Sequence, residues 1–143
     1  MKKHIATEEG NRKRLEQQYM QLQMLAEHIK AMQTQLSQMT TQVTELESTR
    51  QALQEFSSVR PGSEILVPLA GGIFAKATIT DTKDLIVNIG GRAAATKTIP
   101  EVEAMLAEQI QEIRSVEMQL TKQLEAAAHQ AGAMESELNE AAK

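Results

Sequence analysis

From Leu15 onward the apolar residues recur on a strict seven-residue grid. Leu15, Leu22, Ile29, Leu36 and Val43 fill one register, and Leu25, Met32, Met39, Leu46 and Leu53 fill the register three residues further on. These are the a and d positions of a coiled coil. Gln18 at d and Arg50 at a interrupt the grid, and neither Gly nor Pro occurs between Asn11 and Ser58. The remaining faces carry Gln, Glu, Thr, Lys and Ser. The pattern predicts a helix over roughly residues 6 to 56, about 75 Å long at 1.5 Å per residue. Its seam has to face another helix.

A second grid begins at KTIPEVEAML. Leu106, Ile113, Leu120, Ala127, Met134 and Ala141 form the d register, and Ile110, Glu117, Leu124, Ala131 and Leu138 the a register. Thr98 and Glu101 have capping-box spacing, and Pro100 is tolerated in a first turn, where its missing N–H has no helical partner. Beyond Leu124 the seam becomes thin and Ala-rich, and Gly132 weakens the helix by about 1 kcal/mol relative to Ala. Folding the chain back antiparallel sets Leu53 level with Leu106, Leu46 with Ile113, Met39 with Leu120, Met32 with Ala127 and Leu25 with Met134. The numbers in each pair sum to 159, so one register serves the whole length. Lys143 then stands opposite Glu16, and Leu15 and everything before it overhang. The polar seam residues do not meet: Arg50 faces Ile110 and Glu117 faces Val43, with their charged ends expected to reach water along the stems.

Between the grids the period changes. SSVRPGSE, with its Pro61 and Gly62, ends the first helix. Strand signals follow over Glu64 to Leu69 and Ile73 to Ile79 around the turn at 70–72, then over Asp84 to Ile89 and Arg92 to Lys97 around Gly90 and Gly91. Thr80-Asp81-Thr82-Lys83 joins the two halves. RAAATKT has weak β-propensity and is assigned as a strand because the third strand needs a partner. Two such hairpins are too small to bury a core. Their exposed edges either aggregate or pair with another chain, and Pro68 points to an edge or bulge position. The expected fold class is therefore α+β, mainly α. A long antiparallel coiled-coil hairpin (1–57 and 98–143) carries two central β-hairpins (58–97) that oligomerise into a β-barrel.

Composition narrows the function. In 143 residues there is no Trp, one Tyr and two Phe, against eight Met, so no large aromatic core is expected. The net charge of −4, with both signs interspersed, offers no basic groove for nucleic acid. The absence of Cys excludes disulfides and thiol chemistry and fits a reducing compartment. MKKHIATEEGNRKR has no apolar run, and no stretch of about 18 apolar residues occurs, so a soluble, cytoplasmic protein without a membrane partner is expected. His4, His28 and His129 lie apart with no ligand cluster. The Gly-rich turns lack phosphate-loop context, and no Ser sits in an elbow or triad. Neither a metal, a cofactor nor an enzymatic activity is expected.

EILVPL, a Gly-rich turn, GIFAKATITDT, LIVNIGG and a KT leading into a helix together resemble the α-type subunit of prefoldin, the archaeal form above all. The order helix, two hairpins, helix extends the resemblance over nearly the whole chain. It departs after Gly91, where Arg92-Ala93-Ala94-Ala95 stands in place of a more β-branched strand. The resemblance implies a hetero-hexamer of two α-type and four β-type subunits, with a double β-barrel body and six projecting coiled coils. It further implies capture of unfolded client proteins without ATP and their delivery to a group II chaperonin. A structural scaffold or tether, assembled through the same hairpins, is the competing reading.

Two sets of residues follow as candidates. The resemblance places client binding at the coiled-coil tip, where Ile5, Leu15, Tyr19, Leu22, Met134 and Leu138 are apolar beside the thin Ala layers. The plain alternative is an ordinary seam with a frayed end. Ile65, Val67, Leu69, Ile73, Phe74, Ile79, Ile86, Val87 and Ile89 are assigned to subunit assembly and barrel core, since closing the sheet edges requires it. Strand alternation puts neighbours on opposite faces without saying which face is inner.

Overall fold

A computed structural model describes residues 2–141, with side chains described over 7–141. The elements run α1 (Lys2–Ser57), β1 (Glu64–Ala70), β2 (Ile73–Thr78), β3 (Asp84–Gly90), β4 (Ala93–Thr98) and α2 (Ile99–Ala141). Both helices and all four strands expected from the residue pattern are present, and α1 starts a few residues earlier than expected. The chain divides into two compact units, Met1–Thr41 with Arg114–Lys143, and Gln42–Ile113.

The first unit holds most of the buried apolar surface. Met32, Leu120 and Ala127 are its buried centre, and Leu25, Ile29, Leu36, Met39 and Leu124 pack around them. Met32 with Ala127 and Met39 with Leu120 are layers of the 159 register. Leu25 and Met134 also line one groove, as that register requires. At Glu117 the seam is flawed. Its Oε1 is shielded from solvent and has no hydrogen-bond partner, so this oxygen does not reach water as the sequence pattern suggested. An unsatisfied polar atom costs about 1–3 kcal/mol. Glu117→Leu is therefore expected to stabilise this unit by about 1–2 kcal/mol, read as a rise in the thermal midpoint of the helical signal.

The second unit contains the helix ends and the hairpins. Leu46 and Ile113 line one groove, again on the 159 register, and Ile110 is buried. Arg50 sends Nη1 to Glu47 Oε2 at 3.7 Å while its Nε stays shielded and unpartnered. α1 terminates where Ser57 Oγ and Ser58 Oγ donate to the carbonyls of Gln54 and Glu55. The Glu55 carbonyl also accepts the Ser58 N–H at 3.2 Å and the Phe56 carbonyl the Val59 N–H at 3.0 Å, so the last carbonyls are met by a tightened final turn. Gly62, at φ 93°, then turns the chain. α2 begins with Thr98 Oγ1 accepting the Glu101 N–H at 3.4 Å, the capping arrangement expected from TIPE.

The strands form two separate antiparallel pairs, β1 with β2 and β3 with β4. β4 forms despite its alanines because β3 supplies a full ladder for it. The two hairpins are copies of one another. Glu64↔Thr78, Val67↔Ala75 and Ala70↔Ile73 recur as Asp84↔Thr98, Val87↔Ala95 and Gly90↔Ala93, every number 20 higher. The bulge recurs too, between Pro68 and Ala70 and between Asn88 and Gly90. This internal repeat was not recognised from the sequence pattern.

The copies differ at their turns. Gly72 has φ 77°, but its counterpart Arg92 holds φ 64°, a left-handed conformation that costs an L-residue about 1–2 kcal/mol. Arg92→Gly should raise the stability of the β3–β4 hairpin by about 0.5–1 kcal/mol after the greater freedom of unfolded glycine is counted. The thermal midpoint of the purified protein measures it.

Candidate functional site

Two surfaces stand out, one in each unit. In the first unit, an open groove of about 600 Å³ is lined by Arg12, Leu15, Glu16, Tyr19, Met20, Leu138 and Asn139. The helical repeat explains the lining. Leu15 and Leu138 come from the a registers, while Tyr19 and Met20 stand at e and f, just outside the seam. Leu15 and Leu138 are half-buried, so Leu15 is not free in an overhang. Tyr19 and Met20 are 57% and 62% exposed. Arg12, Glu16 and Asn139 supply a polar rim. Such a groove offers apolar contact area with adaptable methionine, suited to extended apolar segments of varied sequence.

Of the six expected tip residues, the groove brings together Leu15, Tyr19 and Leu138. Leu22 is half-buried and takes no part in the groove lining. Met134 lines a neighbouring groove with Gln21, Met24, Leu25 and Gln130. Ile5 lies outside the described side chains. Met20 and Met24, the latter 68% exposed, were missed. Their signal was available, because f and c positions of a coiled coil in water are ordinarily polar.

In the second unit the hairpins leave large apolar side chains uncovered. Directly opposed residues share a face, so the ladder sorts the assembly set. Ile65 and Val67 stand with Ala77 and Ala75 on one face of the first hairpin, and Val87 with Ala95 on the matching face of the second. Most of this face is half-buried. Leu66 and Pro68, opposed by Lys76 and Phe74, form the other face, and Ile86 stands there in the second hairpin. Phe74 is 57% and Ile86 81% exposed. Leu69, Ile73 and Ile89 are exposed at the turn ends. Ile79 lies one residue past β2, yet it still accepts the Gly62 N–H and donates to Ser63 O at 2.9 Å. Leu66, exposed, and Leu85, half-buried, belong with these residues but were missed. Each lies in the same strand pattern that singled out its neighbours.

Among the described residues no cluster of three His, Cys, Asp or Glu could hold a metal ion. No helix among them is long and apolar enough to cross a membrane.

Comparison with known proteins agrees with this architecture. A family model described as "Prefoldin subunit" matches residues 25–143. A prefoldin subunit alpha of Methanococcus aeolicus is 28% identical over 126 residues, covering 88% of this chain and 85% of its own length. One from Thermofilum pendens is 32% identical over 103 residues, covering 72% and 78%. One from Archaeoglobus fulgidus is 26% identical over 129 residues, covering 90% and 94%. Among solved structures, a chain of filamentous PFD from Methanocaldococcus jannaschii superposes with a TM-score of 0.71 at 12% identity. The superposition covers 79% of this chain and 93% of that one, and it speaks to the fold alone.

Proposed function

The chain belongs to the prefoldin family, and from that premise we propose that it is a subunit of an ATP-independent holdase. It assembles with other prefoldin subunits through its two hairpins, in a hetero-hexamer with β-type companions. Its helical tip captures unfolded proteins, which then pass to a group II chaperonin. The observation that carries this reading is the groove of Leu15, Tyr19, Met20 and Leu138, apolar and open. Contiguous apolar side chains rimmed by polar ones are the usual mark of a surface that contacts another protein. A single groove grips weakly, and several of them borne on one particle gain by multivalency.

Assembly follows from the hairpins. Each is a two-stranded sheet with unpaired edges and exposed Leu, Ile and Phe, a surface that strand addition from another subunit covers.

The test is light scattering of an unrelated client during unfolding, in the presence of the particle reconstituted with a β-type prefoldin subunit and no nucleotide. The expected result is suppressed aggregation. A scaffold or tether would assemble to the same size yet leave scattering unchanged, and that outcome would overturn the holdase reading.

A further inference from the structure

We propose that Met20 and Met24 form a reversible oxidation site, at which a peroxide converts both thioethers to sulfoxides and so loosens the hold on unfolded protein. The proposal rests on the reading that the open groove of the first unit is the gripping surface. It adds a chemical control to that surface.

The seam does not require these two residues. Met20 stands at f and Met24 at c, positions that face water in a two-helix coil and are ordinarily polar. Met20 lines the groove with Leu15, Tyr19 and Leu138, and Met24 lines the neighbouring groove with Leu25 and Met134. Spaced four residues apart, the two lie one above the other on a single helix face, so each groove has one of them at its side. Exposure sorts the methionines by access to a dissolved oxidant. Met20 and Met24 are mostly exposed, whereas Met32 is buried and Met39, Met105 and Met134 are half-buried. Met118 is as exposed as Met20 but lies away from both grooves, among Arg114, Lys122 and Glu125. The chain has no cysteine to consume the oxidant first.

In the forward step a sulfur lone pair attacks one oxygen of the peroxide, and the S–O bond forms as the O–O bond breaks. Each sulfur gives up two electrons and the peroxide is reduced to water, the proton on the transferred oxygen passing to the departing one. The return step needs a dithiol, which carries the oxygen off as water and is itself oxidised to a disulfide. Without a cysteine of its own, the chain relies on a separate sulfoxide reductase for that dithiol. Oxidation replaces a flexible apolar contact by a chiral dipole. A client segment lying over the groove then strips water from the new oxygen, and burying an unpaired polar group is unfavourable. Met32, inside the seam, would part the helices if it were oxidised, and its burial protects it. Met20 and Met24 stand outside the seam, so their oxidation alters the grip and leaves the coil paired.

The test treats the full-length chain, assembled with a β-type prefoldin subunit, with hydrogen peroxide and then removes the excess with catalase. Oxygen uptake at each methionine is mapped by peptide mass spectrometry, particle size by chromatography, and protection of an unrelated unfolding client by light scattering. The expected result is oxidation of Met20 and Met24 before Met32, an unchanged particle size, and a rise of about tenfold in the particle concentration that gives half protection. That rise is equivalent to about 1.4 kcal/mol. Methionine sulfoxide reductases with dithiothreitol should reverse it. A chain carrying Met20→Leu and Met24→Leu, in the same assembly, isolates these sulfurs from any others in the particle. Peroxide should shift its protection by less than about twofold from its own untreated value. Met118→Leu should still show the full loss on treatment. Complete oxidation of Met20 and Met24 without loss of protection would overturn the proposal and leave the gripping groove standing. An equal loss in the double leucine variant would overturn it too, as would oxidation of Met32 ahead of either methionine. An untreated particle that protects no client would sink both readings.

Discussion

Leu15→Ser combined with Leu138→Ser is expected to abolish most of the protection given to an unfolding client, with the assembled particle unchanged in size. Both leucines line the open groove of the first unit, one from each helix, and neither lies near the hairpins in sequence. Replacing each by a hydroxyl removes apolar area worth about 1.5 kcal/mol or more per side chain. A loss of about 1.4 kcal/mol is tenfold in affinity, so the two side chains of one groove together account for about a hundredfold, and a second groove engaged on the same client adds to it. Both residues are half-buried, so the double variant also loosens the helix ends, and circular dichroism must accompany the scattering assay. Tyr19→Ser separates the two effects. Tyr19 is mostly exposed, so its loss leaves the seam intact while shrinking the groove. Retained protection in both variants at full assembly would remove the groove as the gripping surface.

Phe74→Asp is expected to shift the protein from assembled particles to free subunits in sizing experiments. The ring is 57% exposed within the single chain, so the substitution scarcely disturbs the isolated hairpin. In an assembled sheet it forfeits on the order of 100 Å² of burial, about 2–3 kcal/mol. It also forces a carboxylate to give up its water on burial. Together these amount to at least about a hundredfold in dissociation constant. Ile86→Asp, on the corresponding face of the second hairpin, tests the same consequence independently. Unaltered elution of both variants at working concentration would show that this face takes no part in assembly.

The helices, their ends and their mutual register were legible because coiled coils use so few positions to say so much. Leu25, Met32, Met39 and Leu46 on one helix and Ile113, Leu120, Ala127 and Met134 on the other admit one antiparallel pairing, and the groove and core neighbours agree with it. Pro61, Gly62 and the Thr98–Glu101 pair marked the boundaries by backbone chemistry alone. β4 was legible only through its neighbour. Alanines 93–95 argue against a strand, and the unpaired ladder of β3 overrides them.

What escaped has a common cause. Met20 and Met24 fall off the seven-residue grid, so a reading built on that grid passes over them, although their polar surroundings made them conspicuous. Leu66 was passed over in the same way when neighbours in its strand were chosen. The repeat of the hairpins is written in residue class more than in identity: EILVPLAG against DLIVNIGG shares few letters but most physical roles, save Pro68 against Asn88 and Ala70 against Gly90, which holds φ 98°. The fate of the Glu117 carboxylate depends on side-chain packing that no pattern of letters encodes.

The duplicated hairpin has a thermodynamic corollary for any ring of strands that it helps to close. Every molecule recruited to such a ring surrenders its independent tumbling once, at a cost of several kcal/mol. A chain that brings four strands closes a circle of given circumference with half as many recruits as one that brings two. With only residues 79–83 between β2 and β3, docking of either hairpin also holds its twin close at hand. A tandem copy within one polypeptide thus makes the circle easier to complete at low abundance without strengthening a single contact.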